Sequence, residues 1–121
     1  MKKILLVEDN EVNARMVRDF LKFKGHEVTT VVNGNDALPK ALEISPNLIL
    51  MDIQIYGISG IDAAKLLRAN DSTKNIPIFF LSAFSFSSFK DQISEELYDE
   101  YIEKPIVFET FYKLVSNYLD T

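Results

Sequence analysis

Short apolar runs alternate along this chain with stretches in which apolar residues return every three or four positions. Residues 3–7 (KILLV), 27–32 (EVTTVV), 47–52 (NLILMD), 76–81 (IPIFFL) and 99–102 (DEYI) read as strands. Each is short, bounded, and rich in β-branched or large apolar residues. Between them the period becomes helical. Asn10 stands as N-cap of a helix reaching about residue 24, with Met16, Val17, Phe20 and Leu21 on one face and Gly25 as its stop. Asn33-Gly34 marks a turn, after which Ala37, Leu38, Ala41 and Leu42 outline a second helix. A loop at 57–60 leads into a third, ending near Arg68. Phe89, Ile93 and Leu97 make one stripe of a fourth helix at 87–97, and Val107, Phe111, Leu114, Val115 and Tyr118 face inward from a fifth at 106–119. Pro39 falls inside the second helix, where it removes a backbone bond and crowds the preceding turn. That helix is therefore expected to be short, irregular or late in starting.

Five strands alternating with five helices make a βα repeat. Continuously apolar strands such as ILLV and LILM suit a parallel sheet covered on both faces, with right-handed crossovers. The expected fold is α/β: a flavodoxin-like (βα)5 doubly wound sheet of five parallel strands, order 2-1-3-4-5, with residues 1–121 as one domain. Such sheets bind ligands beyond the carboxyl ends of their strands where the order reverses, here between the first and third.

Composition narrows the chemistry. A chain of 121 residues can bury a core without disulfides or metals to staple it. There is no cysteine, which excludes thiolate metal sites, disulfides and cysteine nucleophiles. His26 is the single histidine, too few for a His-rich metal site, and after Gly25 it reads as a solvated turn residue. No apolar run approaches the ~20 residues of a membrane helix. The run after Lys2-Lys3 ends at Glu8-Asp9, too short for a signal peptide, so a soluble cytoplasmic protein is expected. A net charge of −5 disfavours nucleic-acid phosphates and favours cations and basic partners.

The strand ends carry the polar groups. The first strand ends in Glu8-Asp9, the third in Asp52, the fourth in Ser82, and Lys104 follows the fifth. The fold collects three carboxylates in one crevice, where they repel one another unless a hard cation relieves them. Mg²⁺ takes oxygen ligands and commonly needs one or two carboxylates plus phosphate oxygens. A hydroxyl and an ammonium on the same rim complete a phosphoryl-transfer set of nucleophile, metal ligands and charge stabilisers, with Asp52 as nucleophile. Taken singly, each residue has an ordinary alternative: Glu8-Asp9 as helix-capping acids, Asp52 as a loop acid, Lys104 as a surface lysine. Their joint spacing carries the functional assignment.

The segments LLVEDNEVN, LILMDIQIYGISG, LSAF and YIEKP resemble the receiver domain of two-component response regulators, over essentially the whole chain and in the same order. The nearest likeness is to stand-alone receivers of the cell-cycle or sporulation kind. The resemblance implies that Asp52 accepts a phosphoryl group from a phosphohistidine on a histidine kinase or histidine phosphotransfer protein. Mg²⁺ (or Mn²⁺) would be held by Asp9, Asp52 and the backbone carbonyl of Gln54, with Glu8 acting through water. Lys104 would pair with the phosphoryl oxygens, and Ser82 would swing in to bond them. Tyr101 would rotate inward and repack the face of the fourth helix, fifth strand and fifth helix, changing which downstream protein binds. The Lys104–Pro105 peptide would be cis. Such a protein is a phosphoacceptor with slow autodephosphorylation rather than an enzyme, a monomer or weak phosphorylation-dependent dimer. The sequence departs from the family pattern at three places: Glu8 for aspartate, Ser82 for threonine, and Tyr56 where a proline is usual, which implies a looser loop.

Rival functions on this fold fare worse. A flavin-binding electron carrier needs a phosphate loop after the first strand, where Glu8-Asp9 would repel the phosphate. An aspartyl phosphatase needs a second aspartate two residues after the first, where Gln54 stands. A phosphorylation-independent adaptor, or a receiver excised from a hybrid histidine kinase, are the remaining alternatives; the Met1 start leans against excision. Phe84 and Phe86 alternate with serines, so at least one is expected to be exposed, either as part of a partner-binding patch or simply packed locally.

Overall fold

The computed structural model describes residues 2–120. Met1 and Thr121, the outermost residues of the expected 1–121 domain, lie outside them. Five strands, β1 (Lys3–Val7), β2 (Glu27–Val31), β3 (Leu48–Asp52), β4 (Ile78–Ser82) and β5 (Glu100–Glu103), form one parallel sheet in the order β2-β1-β3-β4-β5. The helices are α1 (Glu11–Phe23), α2 (Ala37–Ile44), α3 (Gly60–Ala69), α4 (Phe86–Phe89) and α5 (Phe108–Leu119). Strand residues alternate between two cores, as the two-residue period of a strand requires. Ile4, Leu6, Leu48, Leu50, Phe79 and Leu81 pack under α1 and α5. Leu5, Val7, Ile49, Met51 and Phe80 pack under α2, α3 and the segment after α4. Every residue of β3 and β4 is buried, which accounts for the unbroken apolar runs. Among the described residues no helix is long and apolar enough to cross a membrane.

Local chemistry sets the helix ends. Asn10 caps α1 by accepting from the Asn13 N–H at 3.0 Å. Gly25, at φ +94°, closes the same helix: its N–H reaches the Lys22 carbonyl and the His26 N–H reaches the Leu21 carbonyl. Before α2, Asn33 caps a single 3₁₀ turn, Gly34–Asp36. The helix that follows is short, and Pro39 sits in its first turn, where a backbone N–H has no helical acceptor to lose. At its far end Ser45 takes φ +50°, a conformation that costs a residue with a side chain and suits glycine.

Several expected side-chain placements differ. On α1 the buried stripe is Ala14, Val17 and Leu21, while Met16 is 52% exposed on the rim. Leu42 and Val107 also face solvent, Val107 because it is the N-cap of α5 rather than part of it. The fourth helix is one turn, not the eleven residues of 87–97. Ser85, Ser87 and Ser88 hydrogen-bond one another through their hydroxyls, and Ser94 caps a separate 3₁₀ turn, Glu95–Leu97. The second turn begins afresh, with the Ser94 hydroxyl accepting from the Glu96 N–H. Ile93 and Leu97 are still buried and Phe89 packs against the same core, so the apolar stripe is met without the helix.

His26 is not a solvated turn residue. Its Nε2 lies 2.9 Å from the Tyr112 hydroxyl, and its buried Nδ1 has no partner among the described residues. Burial pushes the imidazole below its ordinary value, opposed by Asp120 and helped by Lys2. The native state therefore binds the proton less readily than the unfolded chain. Stability is complete above about pH 6.5 and falls as the pH drops through the unfolded-state value toward the folded one. Urea unfolding between pH 7.5 and 5 should show this decline, and His26→Gln should flatten it. Ser45→Gly should raise the unfolding free energy by about 0.5–1 kcal/mol by removing the left-handed strain, read as a higher urea midpoint with unchanged slope.

Candidate functional site

The carboxyl ends of β1 and β3 lie side by side because these strands are neighbours, with Val7 opposite Met51. The residue after each register end is acidic or leads to an acid. Glu8 extends the ladder through its N–H to the Val31 carbonyl, and its side chain is 2% exposed. Asp52 ends β3 and is 5% exposed. Asp9, half-buried, completes the group: one oxygen from each of Glu8, Asp9 and Asp52 lies within 4.8 Å of the others. These are hard oxygen donors at the spacing a small divalent cation requires, so the residues present fit Mg²⁺.

Lys104 stands among them. Its Nζ is 2.8 Å from Glu8 Oε1 and 3.1 Å from Asp52 Oδ2. The Lys104 backbone N–H bonds the Ser82 carbonyl at 2.7 Å, which ties the residue to the end of β4, and the Lys104–Pro105 peptide is cis. Burial disfavours the ammonium, but the bond to Glu8 and the charge of Asp52 outweigh it and hold Lys104 above the ordinary lysine value. Glu8 is pushed upward, first by burial and then by neighbouring Asp52, with Lys104 pulling the other way. Sequence reasoning placed Glu8 near a metal through water; the structure also makes it the shorter of the two ion pairs of Lys104.

Ser82 is fully buried, and its hydroxyl accepts from the Phe84 N–H at 3.0 Å. Gln54 leaves its side chain in solvent while its N–H bonds Asp52 Oδ1 at 3.1 Å. Tyr101 lies one step away on β5, half-buried, its hydroxyl donating to the Phe84 carbonyl at 2.9 Å. Phe84 and Phe86 are 42% and 38% exposed, each leaning on another ring: Phe84 on Phe89, Phe86 on Tyr101. Beside Glu8 and Lys104 opens a cavity of about 420 Å³ walled by Met16, Val17, Ile106 and Phe108.

The loop carrying Tyr56 is not loose. The Tyr56 N–H donates to Asp9 Oδ2 at 3.3 Å, and the Gly34 N–H donates to the Tyr56 carbonyl at 2.8 Å. Neither contact was apparent from the residues. The only signal was the Asn33-Gly34 turn, which says nothing about what the turn touches.

A family model described as the response regulator receiver domain matches residues 4–116. The chain is 36% identical over 118 residues to the polar-differentiation response regulator DivK of Brucella anthropi, covering 98% of this chain and 96% of that protein. The response regulator protein TrrA of Thermotoga maritima, solved with Mg²⁺ and BeF, superposes with a TM-score of 0.88 at 31% identity, over 98% of this chain and 100% of that one. The receiver domain of a sensor histidine kinase from Pseudomonas aeruginosa, with magnesium coordinated in its active-site cleft, gives 0.89 at 27% identity, over 99% and 98%.

Three carboxylates facing one ammonium leave surplus negative charge. Asp9→Asn should therefore stabilise the protein in EDTA by about 1 kcal/mol, measured by urea denaturation, because it removes repulsion while keeping an oxygen for the Tyr56 N–H.

Proposed function

The chain belongs to the response regulator receiver domain family of two-component signalling, and from that premise we propose that Asp52 is its phosphoacceptor. The observation that carries this is Lys104 bridging Glu8 and Asp52 beside Asp9, with the Ser82 hydroxyl at the next strand end. The donor is a phosphohistidine on a histidine kinase or histidine phosphotransfer protein. An Asp52 carboxylate oxygen attacks phosphorus, the P–N bond breaks, and the imidazole leaves with its electron pair. The product is an acyl phosphate on Asp52. Lys104 then meets the phosphoryl oxygens as a point charge, and Ser82 supplies a hydroxyl to them. Asp9, Asp52 and the carbonyl of Gln54 would hold Mg²⁺, with Glu8 through water; the ion supplies charge neutralisation for the phosphoryl group when bound. The two neighbours solved with magnesium support that ion, and neither supports Mn²⁺.

Transfer changes charge and packing together. Ser82 exchanges its Phe84 N–H for a phosphoryl oxygen, and Tyr101 exchanges the Phe84 carbonyl for an inward position, remaking the surface of α4, β5 and α5 where Phe84 and Phe86 lie. A downstream protein reads that surface. The chain acts as a switch that accepts one phosphoryl group and slowly loses it to water, not as an enzyme with a free substrate. The DivK-type regulator that it resembles is matched over 96% of its length.

Incubation with Mg²⁺ and a small acyl-phosphate donor should add one phosphoryl group by intact mass. Asp52→Asn should abolish the addition and Asp9→Ala should reduce it at least tenfold at equal Mg²⁺. Retained labelling of Asp52→Asn would remove Asp52 from its role. No labelling of the unmodified protein by either the small donor or a phosphorylated histidine protein would favour a phosphorylation-independent adaptor.

A further inference from the structure

Asp9 differs from the other two acids. Glu8 and Asp52 are both gripped by Lys104, whereas Asp9 makes no ion pair among the described residues. Its carboxylate receives one protein hydrogen bond there, from the Tyr56 N–H to Oδ2. One oxygen of the same carboxylate lies within 4.8 Å of an oxygen of Glu8 and of Asp52.

The donor is itself held in place. The Tyr56 carbonyl is fixed by the Gly34 N–H at 2.8 Å, and two residues on, the Ile58 N–H is fixed by Asn35 Oδ1 at 3.2 Å. Asn33 Oδ1 accepts from the Asn35 N–H at 2.8 Å, which shapes the turn that aims Asn35. Asn33 and Tyr56 form an isolated parallel bridge. The two loops approach so closely that a β-carbon on Gly34 would overlap the Ile58 carbonyl, and one on Gly57 would overlap the side-chain oxygens of Asn33 and Asn35. Gly57 also takes φ +82°, open to glycine at little cost. The β2–α2 turn thus clamps the loop after Asp52, and the loop presents one N–H to Asp9.

We infer that this clamp is a positioning device for the cation site: Gly34 and Asn35 hold the Tyr56 N–H where it orients Asp9, and the Mg²⁺ affinity of this chain depends on that backbone bond. The inference rests on Glu8, Asp9 and Asp52 being the Mg²⁺ site. A carboxylate already oriented by a hydrogen bond loses less rotamer freedom on binding. Partners that orient a metal ligand are worth about tenfold or more in affinity. The donor is backbone, so the identity of the side chain at 56 matters only through whether the residue has an N–H, and proline has none.

The test is Mg²⁺ titration of the full chain, followed by amide chemical shifts, for the unmodified protein, Tyr56→Ala, Tyr56→Pro and Asn35→Ala. Tyr56→Pro should bind about tenfold more weakly than Tyr56→Ala, which keeps the donor. Asn35→Ala, which leaves residue 56 untouched, should also weaken binding and should speed hydrogen exchange at the Tyr56 amide without Mg²⁺. The rise in unfolding temperature caused by Mg²⁺ should shrink in Asn35→Ala. A merely structural role would lower the Mg²⁺-free value and leave that rise intact. Equal affinities for Tyr56→Pro and Tyr56→Ala, or unweakened binding in a folded Asn35→Ala, would overturn the inference while leaving the Mg²⁺ site standing. Absence of Mg²⁺ binding by the unmodified protein would overturn both.

Discussion

One ammonium makes the rest of the site possible. Three carboxylates crowded at the end of a sheet, two of them almost wholly out of water, are a costly arrangement for a folded protein. Lys104 compensates two of them at hydrogen-bond distance, and is itself anchored by its backbone to the end of β4. It does not neutralise all three. The residual negative charge favours a divalent cation and disfavours a bare anion. The protein therefore carries a site balanced between the tolerable and the reactive, and that balance is set by a single residue arriving from the far end of the chain.

The sheet order turns this local balance into a consequence of topology. Because β1 and β3 are neighbours, acids separated by more than forty positions meet without any loop reaching across. Because β4 and β5 follow in order, the hydroxyl and the ammonium lie on the same rim. The two cores on either face of the sheet hold the strands in register, so the geometry of the acids is inherited from apolar packing on both sides.

The strands and the acids were legible in the sequence for the same physical reason. A strand buried on both faces must be apolar along its length, so the first charged residue marks its end, and in a doubly wound sheet that end is where ligands bind. The short α2 was legible because Pro39 constrains it. Less was legible where several weak local preferences compete. The stripe Phe89, Ile93, Leu97 indicated burial correctly but not the helix, because two separate turns and the link between them can bury the same three residues. Met16 and Leu42 are apolar at near-helical spacing yet lie at the edges of their faces, and the periodicity that places a stripe does not fix its width; Val107 falls one residue before its helix starts. His26 has its partner 86 positions away in Tyr112, and the Asn35–Ile58 contact spans 23, separations about which a local pattern is silent.

The break in the fourth helix has a mechanical meaning. Between β4 and β5 the backbone is held by a few single-turn bonds, such as Lys90 N–H to the Phe86 carbonyl and Leu97 N–H to the Ser94 carbonyl, instead of a continuous ladder. Cooperativity in a helix comes from each turn stabilising the next, so a segment of isolated turns can rearrange one piece at a time. The buried Ile93 and Leu97 act as separate anchors with slack between them. The connection from β4 to β5 is thus made of short links rather than a rigid rod.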